Sequence, residues 1–321
     1  MKIYRQLDEL PAASYPVVAT IGNFDGVHLG HQAVIAEVIA RARFLGGLSL
    51  AITFDPHPAR VLRPEQPQPL ITPLQRKLEL LTDTGIDAAL VLPFTEALSR
   101  KSAREFASEV LVRAVHVTEV HEGANFRFGH HAEAGVTGPT GLQALGRELG
   151  FTVTTYAPRS LRGGPVSSSR IRALIVAGDV SHARTLLGVP FSVDSTPASG
   201  RGFGARYAVP TINLATYNEL LPANGVYITT LAVGSGSEAE TFQAVTNLGV
   251  RPTFGEASFA VESHLLDFHP IELTEKTPLR LTFLRRLRAE QRFASVEALR
   301  EQIARDVTRA RRYFRLCHCP A

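Results

Sequence analysis

PVVATIGNFDGVHLGHQAVIAEVIARAR, residues Pro16 to Arg43, decides how the first half of this chain reads. Val17–Ile21 is a short apolar run bounded by proline and glycine, which predicts a buried strand. Val34, Ile35, Val38, Ile39 and Ala42 then recur at helical spacing. Between the two lie Gly22, Gly26 and Gly30, with His28 and His31 three residues apart where strand gives way to helix. A helix N-terminus leaves several N–H groups unpaired and carries about half a positive charge, so it attracts phosphate. Glycines before it let a ligand approach the backbone. Two imidazoles on one face of the first turns can donate hydrogen bonds to a phosphoryl group whose oxygens gain charge during transfer. A dinucleotide turn, a metal pair and a purely structural pair are the other readings. The G-x-G-x-x-G spacing is missing and no third ligand stands at convincing spacing, so nucleotide chemistry leads.

Outward from this stretch, strand and helix continue to alternate. Leu48–Phe54, Ala88–Leu92, Glu119–Glu122 and Thr152–Tyr156 read as strands. Pro73–Thr84, Arg104–Val112 and Gly141–Gly150 read as helices between them, a pattern that implies a parallel sheet covered by helices. RIRALIVAGDVSHARTLLG, ending at Gly188, reads as one helical stretch. The texture then changes to short β-rich runs: YAVPTINL, GVYITTLAV, TFQAVTNLGV, FAVESHLLDF and PLRLTF. Such spacing argues for a small antiparallel sandwich or barrel. GSGSEAE, Gly234–Glu240, reads as an exposed hairpin loop. A closing helix is N-capped by Ser295 and has Val296, Leu299, Ile303 and Val307 as its apolar face. The domain boundary is drawn so that 1–188 form one domain and 189–321 the other.

The composition, 45% hydrophobic and 20% charged, is that of a soluble globular protein. No stretch approaches the roughly 18 uninterrupted apolar residues of a membrane helix, and MKIYRQLDELPAASY carries charges where a signal peptide needs its apolar core. No membrane partner is expected, and the cytoplasm is the expected location. Cys317 and Cys319, both in the tail RLCHCPA, are too few for a disulfide framework. Lysines number only four, Lys2, Lys77, Lys101 and Lys276, so a phosphate site must rely mainly on Arg, His, hydroxyls and backbone amides.

GNFDGVHLGH resembles the G-x-F-D-x-x-H-x-G-H signature of the nucleotidylyltransferase superfamily. TFDPHP (Thr53–Pro58), GANFRFGHHAEAG (Gly123–Gly135) and VSSSRIR (Val166–Arg172) resemble, in order, the motifs of the FMN adenylyltransferase half of bacterial FAD synthetases. The resemblance implies attack of the FMN phosphate on the α-phosphorus of ATP, with release of pyrophosphate and Mg²⁺ assisting. His28 and His31 would steady the α-phosphate. Ser168, Ser169 and Arg172 would hold the outer phosphates. Gly22, Asn23, Phe24 and Asp25 would line the nucleotide site, and Asn125 would sit near FMN and the metal. Asp55 and His57 would orient groups in the cleft, or else act as turn residues in a turn-rich D-P-H-P run.

In the second half, Thr211 and Asn213 alternate with Ile212 and Leu214 and so share a strand face. A hydroxyl and an amide carbonyl make oxygen ligands suited to Mg²⁺ on a nucleotide. Glu262 lies within an apolar strand and is a candidate general base, or an edge residue facing solvent. LLGVPFSV, VPTINL, ANGVYI, TNLGVRPTFG, VESHLLDF and LRAEQRFASVEALREQIARD recur in this order in bacterial riboflavin kinases. The whole chain thus resembles the bifunctional riboflavin kinase/FMN adenylyltransferase family. That implies a Rossmann-like nucleotidylyltransferase domain, a parallel sheet with helices, followed by a six-stranded antiparallel β-barrel with a C-terminal helix. It also implies riboflavin, FMN and ATP as substrates, with FMN and FAD as products. Gly204 would help bind ATP, Thr211 and Asn213 would bind Mg²⁺ and ATP phosphates, and Glu262 would deprotonate the ribityl 5′-hydroxyl.

This half departs from the family's G-R-x-L-G-F-P-T-A-N. Ala205 stands where arginine is usual, Ala208 replaces a glycine and Ile212 an alanine. The alternative is therefore an adenylyltransferase acting on FMN alone beside an impaired kinase. A further rival is adenylylation of another metabolite phosphate, against which the appended barrel argues. Arginines crowd 280–315 but are interleaved with Glu290, Glu297, Glu301 and Asp306, the pattern of a solvated helix face, so no nucleic-acid partner is expected.

Overall fold

In the computed structural model, which describes residues 1–11, 14–124, 126, 139–198, 211–236, 239–253 and 256–317, the first strand is β1 (Lys2–Tyr4). The apolar run Val17–Ile21 follows as β2, buried along its whole length. Next come α1 (Leu29–Leu45), β3 (Leu48–Asp55), α2 (Pro58–Leu62), α3 (Leu74–Asp83) and β4 (Ala88–Pro93). Two short helices, α4 (Glu96–Ser99) and α5 (Ala103–Phe106), lead through a π-helical segment, Ala107–Ala114, into β5 (Val117–Gly123). α6 (Pro139–Leu149) and β6 (Thr152–Tyr156) complete the layer. The strands are parallel throughout, in the order β1-β4-β3-β2-β5-β6. The chain leaves β2 toward β3 and later returns to its other side as β5. The order therefore reverses at β2 and β5, and ligands of open parallel sheets bind beyond the strand ends at such a point. α1 buries Ile35, Val38, Ile39 and Ala42, four of the five residues whose spacing predicts it.

A small hairpin, β7 (Ser160–Leu161) with β8 (Gly164–Pro165), precedes α7 (Ser168–Val176) and α8 (Val180–Leu187). The sequence reads these as one helical stretch. The structure divides them at Gly178, whose φ of +80° ends α7, and Asp179 then caps α8 by accepting the His182 N–H at 3.0 Å. The chain packs as two compact units, Met1–Ser168 and Ser169–Ala321. Nearly all of α7 and the whole of α8 thus lie with the second unit, while the change of sequence texture falls after Gly188. The reason is local packing. Ser181 donates to the Leu284 carbonyl at 3.3 Å, Arg286 reaches the Ala177 carbonyl at 3.5 Å, and the Tyr227 hydroxyl lies against Gly178.

The second unit contains β9 (Ser192–Ser195), β10 (Thr211–Leu214), β11 (Gly225–Val233), β12 (Glu240–Thr253), β13 (Glu256–Leu265), β14 (Leu279–Arg288) and α9 (Val296–Cys317). Its sheet is antiparallel in the order β10-β13-β12-β11-β14-β9. The segment just after β9 meets β10 at a bridge between Pro197 and Leu214, where Ala198 N–H donates to the Asn213 carbonyl at 2.8 Å. The expected six-stranded antiparallel barrel is present as a curled half-barrel sheet. Inward-facing Thr229, Thr246 and Ser263 are fully buried and linked hydroxyl to hydroxyl at 2.7 and 2.8 Å across β11, β12 and β13. On the outer face, Ala310 and Phe314 of α9 pack on Val226, Ile228, Val245 and Leu284. Ser295 caps α9 as the sequence predicts, accepting the Ala298 N–H at 3.1 Å. The apolar face differs from expectation. Val307 packs, whereas Val296, Leu299 and Ile303 are exposed, because the sheet lies under the C-terminal half of the helix.

Candidate active sites

The turn from β2 into α1 lies at the reversal of strand order. Phe24, Gly26 and Val27 all have positive φ, at 47°, 87° and 38°. For β-branched Val27 this is a strained conformation, held only because its surroundings fix it. Gly26 N–H donates to Thr72 Oγ1 at 2.8 Å, and Gln32 donates to the Val27 carbonyl at 2.8 Å. Asp25, 3% exposed, uses Oδ1 to accept the Ile71 and Thr72 N–H groups at 2.9 and 3.0 Å. Its carboxylate therefore braces the turn against the segment before α3. Ser168 donates to the Asp25 carbonyl at 2.9 Å, which ties the start of α7 to the same turn.

His28 is the N-cap of α1, and its Nδ1 accepts the His31 backbone N–H at 3.3 Å. An accepting Nδ1 carries no proton, so the neutral ring holds its proton on Nε2. The His28 and His31 rings stack with centroids 3.6 Å apart and planes 12° from parallel, and Phe24 meets His31 edge-on. Burial lowers His28 to about 4. His31 lies well below the usual histidine value, through burial first and then the charges of His28 and Lys77. His31 Nδ1 is buried without a hydrogen-bond partner among the described residues. Near pH 7 both rings are neutral donors at the positive end of a helix. A Cβ on Gly30 would stand 3.1 Å from the His28 ring, and one on Gly22 would stand 3.2 Å from the Phe24 ring. The two glycines make room for the rings.

The other candidates of this half fall as follows. Asn23 is exposed on the turn. Ser169 is exposed and Arg172 half-buried, one turn apart on α7. His57 caps α2, its Nδ1 accepting the Ala59 N–H at 3.1 Å, which is a turn role. Asn125 and Gly204 lie outside the described residues. Lys77, which sequence reasoning did not single out, is buried behind the turn and donates to the Asn23 carbonyl at 3.1 Å.

In the second unit, β10 lies against β13 so that Asn213 faces Glu262 and Thr211 faces His264. All four are half-buried on the outer face of the sheet. On the other side of β13, Glu262 pairs with Asn247 and His264 with Val245 of the layer beneath α9. The expected residues Thr211, Asn213 and Glu262 are thus brought together. Asn247 and His264 join them and could be found only from the register. Thr211 Oγ1 lies 3.4 Å from His264 Nδ1, and burial lowers the pKa of His264. The arrangement is a carboxylate flanked by two amides, beside a hydroxyl on the same face.

Among the described residues no cluster of three or more His, Cys, Asp or Glu side chains is arranged to hold a metal, and no helix is long and apolar enough to cross a membrane. The family model for FAD synthetase matches residues 10–170, and that for riboflavin kinase matches residues 187–314. A bifunctional riboflavin kinase/FMN adenylyltransferase of Pseudomonas fluorescens is 36% identical over 312 residues, covering 97% of each chain. That of Escherichia coli K12 is 31% identical over 318 residues, covering 98% of this chain and 99% of the relative. That of Bacillus subtilis 168 is 33% identical and covers 92% of each. The crystal structure of a macrolide-efflux protein from Streptococcus pneumoniae has a TM-score of 0.82 at 24% identity, covering 96% of this chain and 98% of its own. At that identity the likeness speaks for the fold alone.

Proposed function

This chain belongs to the bifunctional riboflavin kinase/FMN adenylyltransferase family, and we propose that its two reactions are run by the two constellations just described. In the first unit an FMN phosphate oxygen attacks the α-phosphorus of ATP, and the bond to the departing pyrophosphate breaks. The ring N–H groups of His28 and His31 donate to the α-phosphate oxygens as these gain charge, a contribution that grows toward the transition state. Gly22 and the turn through Asp25 admit the nucleotide to the backbone. The resemblance assigns Ser168, Ser169 and Arg172 to the outer phosphates and Asn125 to the flavin and the metal. The observation that carries this reading is the stacked, neutral histidine pair at the head of α1.

In the second unit Glu262 takes the proton of the ribityl 5′-hydroxyl while that oxygen attacks the γ-phosphorus and ADP leaves. Asn213 and Asn247 flank the carboxylate on the neighbouring strands and orient it. Mg²⁺ prefers a few hard protein oxygens together with substrate phosphates, and the Thr211 hydroxyl and Asn213 carbonyl fit that demand. Bound there with ATP, it would supply charge neutralisation on the phosphates. Gly204 belongs to the ATP loop by resemblance. The full-length likeness to bifunctional relatives does not favour the reading with a silent kinase. Two ATP-consuming steps suit the cytoplasm.

The test is to incubate the protein with ATP and Mg²⁺ plus either riboflavin or FMN, and to resolve FMN and FAD by chromatography. FAD is expected from both starting points. No FAD from FMN would remove the first site's reading, and no FMN from riboflavin would remove the second.

A further inference from the structure

β2 leaves the sheet after Ile21 while β3 runs on to Asp55, so the two strands part at the candidate nucleotide turn. The last ladder bond runs from Gly22 N–H to the Ile52 carbonyl at 3.0 Å. Lys77 reaches into the parting from α3. Its Nζ donates to the Asn23 carbonyl at 3.1 Å, Thr53 Oγ1 at 3.2 Å and the Phe54 carbonyl at 3.3 Å. Thr53 Oγ1 in turn lies 3.4 Å from the Asn23 carbonyl. Lys77 is 5% exposed, so these bonds are made away from solvent. Two of the acceptors are carbonyls, and three acceptors call for three N–H groups, a number that an ammonium has and a neutral amine lacks. Burial lowers the Lys77 pKa, and the Asp25 and Asp55 carboxylates work against that. All three bonded partners are neutral, and the nearby Asp25 and Asp55 carboxylates offset only in part the positive charge that acts on whatever occupies the turn.

We propose that Lys77 is a positioning residue for ATP in the first unit, fixing the Asn23 carbonyl and holding a buried positive charge behind the turn. The inference rests on the reading of this turn as the ATP site. An anion bound on the exposed side of Asn23 meets a backbone held in place from behind and a buried cation that dissolved salt screens little. A cationic hydrogen-bond donor is needed for both effects together. A neutral side chain would leave the parting of β2 and β3 without its charge, and the triphosphate, the more highly charged of the two substrates, would feel that loss most.

The experiment measures steady-state FAD formation from FMN by the full-length protein carrying Lys77→Met, Lys77→Gln or Lys77→Arg. Riboflavin phosphorylation in the same samples is the control, since Glu262 and its neighbours belong to the other compact unit. Lys77→Met and Lys77→Gln are expected to raise KM for ATP about tenfold and KM for FMN by less. Lys77→Arg keeps the charge and is expected to hold KM for ATP within about threefold of wild type. Lys77→Gln keeps two N–H donors and supplies the answer if Lys77→Met does not fold. Loss of folded first unit lowers kcat and leaves both KM values alone. That pattern, or wild-type KM for ATP in both neutral variants, would overturn the inference. A wild type forming no FAD would instead remove the reading on which it rests.

Discussion

At the scale of single residues, charge state separates His28 and His31 from ordinary surface histidines. Held near 4 by burial, His28 stays neutral through the physiological range, so in the proposed reaction it would act on phosphate by hydrogen bonding rather than as a counter-ion. His28→Ala or His31→Ala should lower FAD formation from FMN by about 10²–10³-fold, the usual effect of losing a transition-state donor, and leave FMN formation intact. Glu262→Gln should do the reverse, with both products followed by chromatography. The opposite anomaly sits on β5. Glu122 is 1% exposed, neither carboxylate oxygen has a hydrogen-bond partner, and burial raises its pKa to about 8. A carboxyl with a raised folded pKa contributes stability that is fully present below about pH 4.5 and is lost as pH rises toward 8. By linkage the loss is on the order of 5 kcal/mol. The depressed histidine works the other way, its contribution being present above about pH 6.5 and lost as pH falls toward 4. Between pH 6.5 and 8 the Glu122 term therefore stands alone of the two. Glu122→Val should abolish the decline of stability over that range and raise the urea midpoint at pH 8. An equally steep decline in the variant would place the titrating group elsewhere.

At the scale of elements, Gly178 decides whether 168–188 is one helix or two. Its φ is +80°, and a Cβ there would stand 2.9 Å from the Tyr227 hydroxyl and 3.0 Å from Arg286 Cδ. Tyr227 is fully buried and its hydroxyl donates to the Ala223 carbonyl, so it has little room to move. Gly178→Ala combines left-handed strain with a clash and should destabilise the second unit by about 2 kcal/mol, seen as a lower midpoint of thermal unfolding. Helical periodicity continues straight through this glycine, which is why the sequence reads one helix. The left-handed turn at Gly178 and the Asp179 cap make the break, and Tyr227 and Arg286 fill the space beside it. A distinction between local and distant signals runs through the rest of the fold. β2 and α1 were legible because an apolar run and a 3.6-residue stripe are local signals. The histidine pair was legible because a cap and a glycine turn are local too. Lys77 was not, since a lone lysine in a polar-faced helix reads as surface until α3 is laid against the parting of β2 and β3. Asn247 and His264 were hidden for a related reason, because only the pairing of β12, β13 and β10 brings them beside Glu262. On α9 the stripe itself was legible, but how much of it would be covered depends on where the sheet ends.

At the scale of the molecule, the segment 168–188 serves two masters. Ser168 is bonded to the turn of the first unit, whereas α8 is fastened to β14 by Ser181 and the Ala177 carbonyl is held by Arg286. A cut after 188, where the β-rich texture begins, and a cut after 168, where the packing divides, therefore make different demands on the fragments. Residues 169–321 keep α7 and α8 against the barrel, with Val180, Ala183, Leu186 and Leu187 buried. Residues 189–321 lose those helices and uncover the Tyr227 and Leu284 region beneath them. We expect 169–321 to phosphorylate riboflavin and melt cooperatively, and 189–321 to melt at least about 5 °C lower, the shift that one or two kcal/mol produces in a domain of this size. The complementary fragments test the other allegiance. Residues 1–188 retain Ser168, Ser169 and Arg172, but 1–168 lose the last two and should form no FAD from FMN even when folded. Equal melting of 169–321 and 189–321 would mean that α7 and α8 add nothing to the barrel. The helices would then belong with the adenylyl-transfer unit, and the change of texture at Gly188 would mark the folding boundary.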